Sequence, residues 1–342
     1  MIHKKLHIEW IRIIAIIMVV LNHSDLFYTH YTNAQNKITF SISLLISAIC
    51  KINVPLFIMI TGALLIPKEE IWRDILKKRV VKMLIVLILF SGMMYSLQCF
   101  VWKQNVFSVS EFIKKLITND IQISYWYLYE YIGILLMIPF IGRIARNLDK
   151  DNMEYFLKLA ILFKVGVPIW ELFTGYCIPI DLFILENSVF YVLMGDYLEN
   201  RIEEERYKKF SVVKIIWGLI ISVCITIVMV LLNYNMSGSY HESVLSIMTP
   251  IMTTLVYIGV RKGCMDCYDK KFRNLLEFLG SCTFGVYLLE HVGQKVFIKL
   301  YLWLCDKTFG VIACLIYVMC ILVFCFSVIG IVKKTKPLNK II

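Results

Sequence analysis

Ten apolar runs alternate with short polar segments along this chain of 342 residues. They extend from about Ile8 to Phe27, Phe40 to Ile66, Met83 to Trp102, Tyr125 to Ile141, Tyr155 to Thr174, Leu182 to Leu198, Ile215 to Leu232, Val244 to Val260, Phe278 to Phe297 and Phe309 to Val332. A helix crossing a bilayer needs about 20 mostly apolar residues. Each run is predicted to be helical, because lipid offers no partner for open backbone N–H and C=O groups. The pattern therefore predicts an all-α fold, a polytopic integral membrane bundle of about ten transmembrane helices. The spans consume nearly the whole length, so residues 1–342 are expected to form one transmembrane domain with no separate soluble module. The first run lacks a small-residue cleavage site, and Tyr28, Thr29, His30 and Tyr31 follow it, which is unlike a removable signal peptide.

The polar segments give a direction. With the N-terminus placed in the cytoplasm, the inner segments carry 26 Lys and Arg and the outer segments seven. This bias predicts that both termini face the cytoplasm, and an even number of spans agrees. The chain shows no internal repeat, and its most charged stretch, Glu199 to Lys209, is expected to be a solvated cytoplasmic loop.

Composition supports this picture. Hydrophobic residues make up 59% of the chain, mean hydropathy is +0.72, and soluble domains hold about 45–50% apolar residues. The net charge of +11 sits in short loops between apolar runs, so it is read as membrane orientation and no nucleic-acid partner is expected. Most of the eleven cysteines lie within apolar runs, where the thiol behaves as a small hydrophobe. Cys264 and Cys267 form a lone pair without a nearby histidine, so no metal site is expected.

Ionisable residues inside spans are costly and mark candidate functional positions. Arg12 and His23 are separated by three helical turns plus about 20°, which places both on one face of the first helix, about 16 Å apart along its axis. Asn22, Ser24 and Asp25 add polarity around His23. Lys51 and Asn53 precede Pro55 in the second span, Glu130 lies in the fourth, Glu171 in the fifth, and Glu290 with His291 in the ninth. Their number suggests a polar cavity inside the bundle. The alternative reading of each is an interhelical hydrogen bond, or for Arg12 a side chain that snorkels to the interface. Arg79 and Lys82 share a helical side in a basic segment that also holds Lys78. That pair suits a phosphate-bearing ligand, and equally suits the cytoplasmic anchor of a span.

These elements resemble the acyltransferase-3 family of membrane acyltransferases. The first helix reads Arg12, ten residues, His23. VPLFIMITGALL (Val54 to Leu65) resembles the family's second-helix pattern, with Thr61–Gly62 in place of Ser–Gly. KKRVVKML resembles its Arg-x-x-Arg element, with Lys82 in the last place, which keeps the charge and loses the guanidinium fork. YWYLYEYIGILLMIP (Tyr125 to Pro139), SVFYVLMGDYLENR (Ser188 to Arg201) and FLGSCTFGVYLLEHVG (Phe278 to Gly293) resemble later family elements in family order. The match is to stand-alone members, which include surface-polysaccharide O-acetyltransferases and lack an extracytoplasmic hydrolase-like domain.

The resemblance implies a multi-pass protein of a cell membrane, a bacterial plasma membrane by composition. It implies that acyl-CoA, usually acetyl-CoA, gives its acyl group from the cytoplasmic side to a hydroxyl of a glycan or lipid-linked sugar. His23 is then the expected general base, or a transient acyl carrier, and Arg12 the group that orients the donor arm or stabilises its carbonyl. Arg79, Lys78 and Lys82 are expected to hold the nucleotide phosphates. Trp126, Tyr127, Glu130 and His291 are the expected substrate-binding residues. The rival classes are a flippase for a lipid-linked intermediate, which leaves the thioester intact, and a membrane sensor, which binds without turnover.

Overall fold

The computed structural model describes residues 5–24, 37–176, 178, 187–238, 240–264 and 269–335. Asp25, the segment 182–186 and Cys267 lie outside these residues. The described chain is helical without strands. We number the helices α1 (Leu6–His23), α2 (Lys37–Lys68), α3 (Trp72–Val101), α4 (Val109–Thr118) and α5 (Ile123–Asn147). Helix α6 runs from Lys150–Ile161 through Leu162–Gly166 to Val167–Thr174, and α7 from Asn187–Asp196 through Tyr197–Arg201. The series ends with α8 (Glu204–Lys209), α9 (Val212–Ser237), α10 (Glu242–Gly263), α11 (Lys270–Lys307) and α12 (Gly310–Val332).

Among the described residues eight helices are long and apolar enough to cross a membrane: α1, α2, α3, α5, α9, α10, α11 and α12. The chain is an all-α polytopic membrane bundle. The other two expected spans are present as helices α6 and α7. Helix α6 carries Glu154, Lys158, Lys164 and Glu171, which dilutes its apolar character. Apolar side chains at helical spacing stay exposed on the outer faces, such as Leu84, Ile85, Ile88 and Leu89 on α3 and Leu315, Met319 and Val323 on α12. Exposed stripes of this kind fit lipid contact and would be an aggregation hazard in water.

Helix α2 is broken by a turn at Lys51–Ile52 and restarts at Asn53. Pro55 falls in the first turn of the new segment, where its missing N–H costs no helical hydrogen bond. The second half of α2 packs directly on α7. A Cβ on Gly62 would lie 1.9 Å from the carbonyl oxygen of Val192, and one on Gly195 would lie 1.9 Å from that of Met59. Two glycines on facing helices thus let the backbones touch, the close approach that small residues permit in membranes. Helix α1 packs against α2 and α11, and α11 against α12. The hydroxyls of Tyr125 and Tyr287 cross-tie α5 and α11, donating to the carbonyls of Leu288 and Ser124 respectively.

The segment expected as a solvated loop begins inside the protein. Glu199 is 5% exposed and receives Lys5 at 2.7 Å, His7 at 2.9 Å and the Tyr257 hydroxyl at 2.8 Å, with Arg261 at 3.7 Å. Burial raises its carboxyl, but hydrogen bonds and charge from His7, with Lys5 and Arg261, bring it down to about 2. The charged composition of this stretch hides a buried ionic knot that fastens the start of α1 to α7 and α10.

Candidate functional site

His23 ends α1. Its ring Nδ1–H donates to Oε1 of Glu290 on α11. Glu290 is 1% exposed, and its second oxygen has no hydrogen-bond partner among the described residues. A carboxylate held against Nδ1 selects the tautomer in which Nε2 carries the lone pair. The backbone carbonyl of His23 accepts from Gln294 Nε2 at 2.8 Å, and His291 Nδ1 donates to Gln294 Oε1 at 3.1 Å. His291 stands edge-on to Trp102, with ring centroids 5.9 Å apart, and lines neither of the two cavities described below. It is connected to His23 through Gln294.

The smaller cavity, about 410 Å³, carries Arg12, Lys78, Arg79 and Lys82 together with His23, Trp126 and Tyr127. The structure thus brings the expected cations, the histidine and the two aromatic residues around one space. Arg12 Nη1 donates to Oε1 of Glu9, one turn earlier, at 2.9 Å. Glu9 is 3% exposed and lies against Gly280 of α11, where a Cβ would sit 2.0 Å from Glu9 Oε2. Glycine at 280 is what leaves room for the carboxylate that holds Arg12. Arg79 grips Glu70 with both edges of its fork, Nε to Oε2 at 2.6 Å and Nη2 to Oε1 at 2.5 Å. This hydrogen bonding holds the Glu70 carboxyl below the usual carboxylate range. Lys78 is largely exposed and 3.0 Å from Asp74. Lys82 has no ion-pair partner among the described residues.

The larger cavity, about 1100 Å³, is walled by the end of α1 and by α2, α5, α6, α7, α9 and α10. Lys51, Glu130, Lys164, Glu171 and Glu242 face it. Lys51 pairs with Glu242, the Ser188 hydroxyl donates to Glu130, and Glu171 Oε1 accepts the backbone N–H of Ile178 at 3.2 Å. Lys164 Nζ stands 5.8 Å over the ring of Phe190. Among the described residues three, His23, Val54 and Trp126, line both cavities. Of these His23 alone is titratable, so the two spaces meet at one imidazole.

A family model for an acyltransferase domain matches residues 6–332. The chain belongs to the acyltransferase-3 family. It is a multi-pass membrane acyltransferase, and the match runs from the first turn of α1 to the last residue of α12. No curated protein and no solved structure matches it. Within this family frame, Glu290 is the residue that sequence reasoning noticed without assigning a role. It is visible as a carboxylate inside a span, beside His291, which is the expected substrate-binding residue there. Adjacent helical residues point about 100° apart, and only packing shows that Glu290 faces His23. Glu9, Glu70 and Ser188 gave no signal of their own, since their importance lies in what they touch.

Proposed function

We propose that the protein transfers an acyl group, acetyl in the simplest case, from acyl-CoA to a hydroxyl of a surface glycan or lipid-linked sugar. The observation that carries this reading is the position of His23 at the junction of a basic cavity and a larger polar one. In this reading the basic cavity opens to the cytoplasm, as the distribution of Lys and Arg suggests. Lys78, Lys82 and Arg79 meet the nucleotide phosphates, and the pantetheine arm passes Arg12 toward His23. The acceptor approaches from the larger chamber. Nε2 of His23 takes the proton of its hydroxyl as the oxygen attacks the thioester carbonyl carbon. Glu290 stabilises the imidazolium that forms. The tetrahedral intermediate collapses, the C–S bond breaks, and His23 returns the proton to the departing thiolate. Arg12, fixed by Glu9, stands on the same helix face about 16 Å from His23 along the axis, and orients the arm on its way to the histidine. Trp126 lines both spaces and packs at the point where acyl carbon and hydroxyl meet, while Tyr127 walls the donor side and Glu130 the acceptor side. His291 supports the helix end through Gln294.

The test is transfer from radiolabelled acetyl-CoA in membranes that contain candidate glycans. His23→Ala is expected to reduce label in the product by about 10²- to 10⁴-fold, the usual contribution of a positioned base. Equal labelling by wild type and variant removes His23 from the chemistry. A wild type that leaves the thioester intact with every acceptor overturns the reading as a whole.

A further inference from the structure

The larger chamber contains polar groups that the proposed transfer step does not use. Its three described carboxylates are engaged: Glu130 by Ser188, Glu171 by the N–H of Ile178, and Glu242 by Lys51. Its lysines are engaged as well, Lys51 by Glu242 and Lys164 over Phe190. Two uncharged groups differ. Asn233 Oδ1 on α9 and Thr249 Oγ1 on α10 are both buried and have no hydrogen-bond partner among the described residues, and both residues line the chamber. Thr249 is 3% exposed. A buried carbonyl oxygen calls for a donor, and a buried hydroxyl can give one hydrogen bond and accept others. Leaving them unmet carries a penalty that a ligand hydroxyl would relieve.

We infer that Asn233 and Thr249 form a hydroxyl-reading subsite, and that the acceptor is an uncharged, polyhydroxylated sugar rather than an anionic one. The inference rests on the acyltransferase reading above and narrows its acceptor. A sugar O–H donates to Asn233 Oδ1, and the Thr249 hydroxyl donates to or accepts from a neighbouring sugar oxygen. A carboxylate in that place would set lone pairs against Asn233 Oδ1. The chamber cations would then have to leave the partners they already hold. The volume of about 1100 Å³ holds more than one sugar ring, so the subsite orients one ring of a longer acceptor while His23 meets the reacting hydroxyl.

The experiment uses the full chain in proteoliposomes with radiolabelled acetyl-CoA and two acceptors, p-nitrophenyl glucoside and p-nitrophenyl glucuronide. The expected result is label on the neutral glycoside and little on the uronide. Asn233→Ala and Thr249→Val should each raise the KM for the glycoside by about 2- to 10-fold, the value of one or two neutral hydrogen bonds, and leave the KM for acetyl-CoA unchanged. Thr249→Val preserves shape, so it keeps the test decisive where Asn233→Ala disturbs folding. Uronide labelled as well as glucoside, neither labelled while thioester is consumed, or an unmoved glycoside KM in folded Thr249→Val overturns the subsite. Failure of wild type to consume thioester under any condition instead overturns the reading beneath it.

Discussion

The two cavities that meet at His23 are built on opposite principles. Among the described residues four cations line the smaller, of about 410 Å³, and of these Lys82 is left without an ion pair and Lys78 is mostly solvated. The larger, of about 1100 Å³, has nearly balanced charge, and its described charges are held by partners within the protein. A space with unspent positive charge suits an anion that arrives from water. A space with its charges satisfied and neutral polar atoms left over suits a molecule read by hydroxyl geometry. In the proposed transfer this difference would separate donor from acceptor by chemistry, with His23, the titratable residue that lines both spaces among the described residues, at their meeting point.

The strongest way to break this comparison is at the junction. Glu290→Gln keeps the shape of the side chain but removes the charge that pairs with an imidazolium. It also allows the amide to favour the wrong ring tautomer. The turnover number is expected to fall by about 10²-fold, with KM for donor and acceptor changed little. A variant with unchanged turnover would mean that Glu290 only packs against His23. One with both KM values raised would mean that it shapes the cavities instead.

A second variant attacks the donor side without touching any lining cation. Gly280→Ala places a methyl group where Glu9 Oε2 lies, so the carboxylate must leave and Arg12 loses its anchor. Because a hydrogen bond between charged groups is worth about 1.5–3 kcal/mol, acetyl-CoA turnover is expected to drop about tenfold or more. The acceptor KM should stay near the wild-type value. If both KM values move together, the substitution has disturbed the packing of α1 on α11 as a whole.

How much of this was legible beforehand follows from what each feature depends on. The apolar runs announced the helical bundle because a bilayer imposes length and hydrophobicity on every span. Eight of the helices meet that criterion, while α6, rich in charge, and α7, described only from Asn187 to Arg201, do not stand among them. The shared face of Arg12 and His23 was computable from helical periodicity, and both line the basic cavity. The pairing of Glu290 with His23 spans 267 positions, and no local pattern encodes it. The placement of His291 behind Gln294 was unreadable for the same reason. Glu199 is the clearest case of composition misleading: it sits in a charged stretch, yet four partners surround it inside the protein.

A smaller effect sharpens the contrast between solvated and satisfied charge. Lys78→Gln with Lys82→Gln should raise the KM for acetyl-CoA about three- to fivefold at low salt, because exposed charge pairs are each worth well under about 1 kcal/mol. The effect should shrink as salt screens the cations. The same double variant should leave acceptor KM untouched. A salt-independent change would show that these lysines act by packing.

The last effect, in the wild type, is a loss of stability that appears only in acid. Glu199 fastens the start of α1, and its carboxyl is brought from an ordinary 4.5 down to about 2. A carboxyl lowered in the folded state adds stability that is fully present above about 4.5 and is lost as pH falls through about 2. The thermal midpoint of the detergent-solubilised protein should therefore decline across that window. Glu199→Gln should flatten this part of the profile, because a neutral amide has no proton to take up. It should also lower the midpoint at neutral pH, since Lys5 and Arg261 lose their shared counter-charge inside the protein. Identical slopes in wild type and variant would assign the acid sensitivity to Glu154, the other carboxyl held at about 2, by Arg206 and Tyr197. The anchoring of α1 would then rest on apolar packing rather than on this ionic knot.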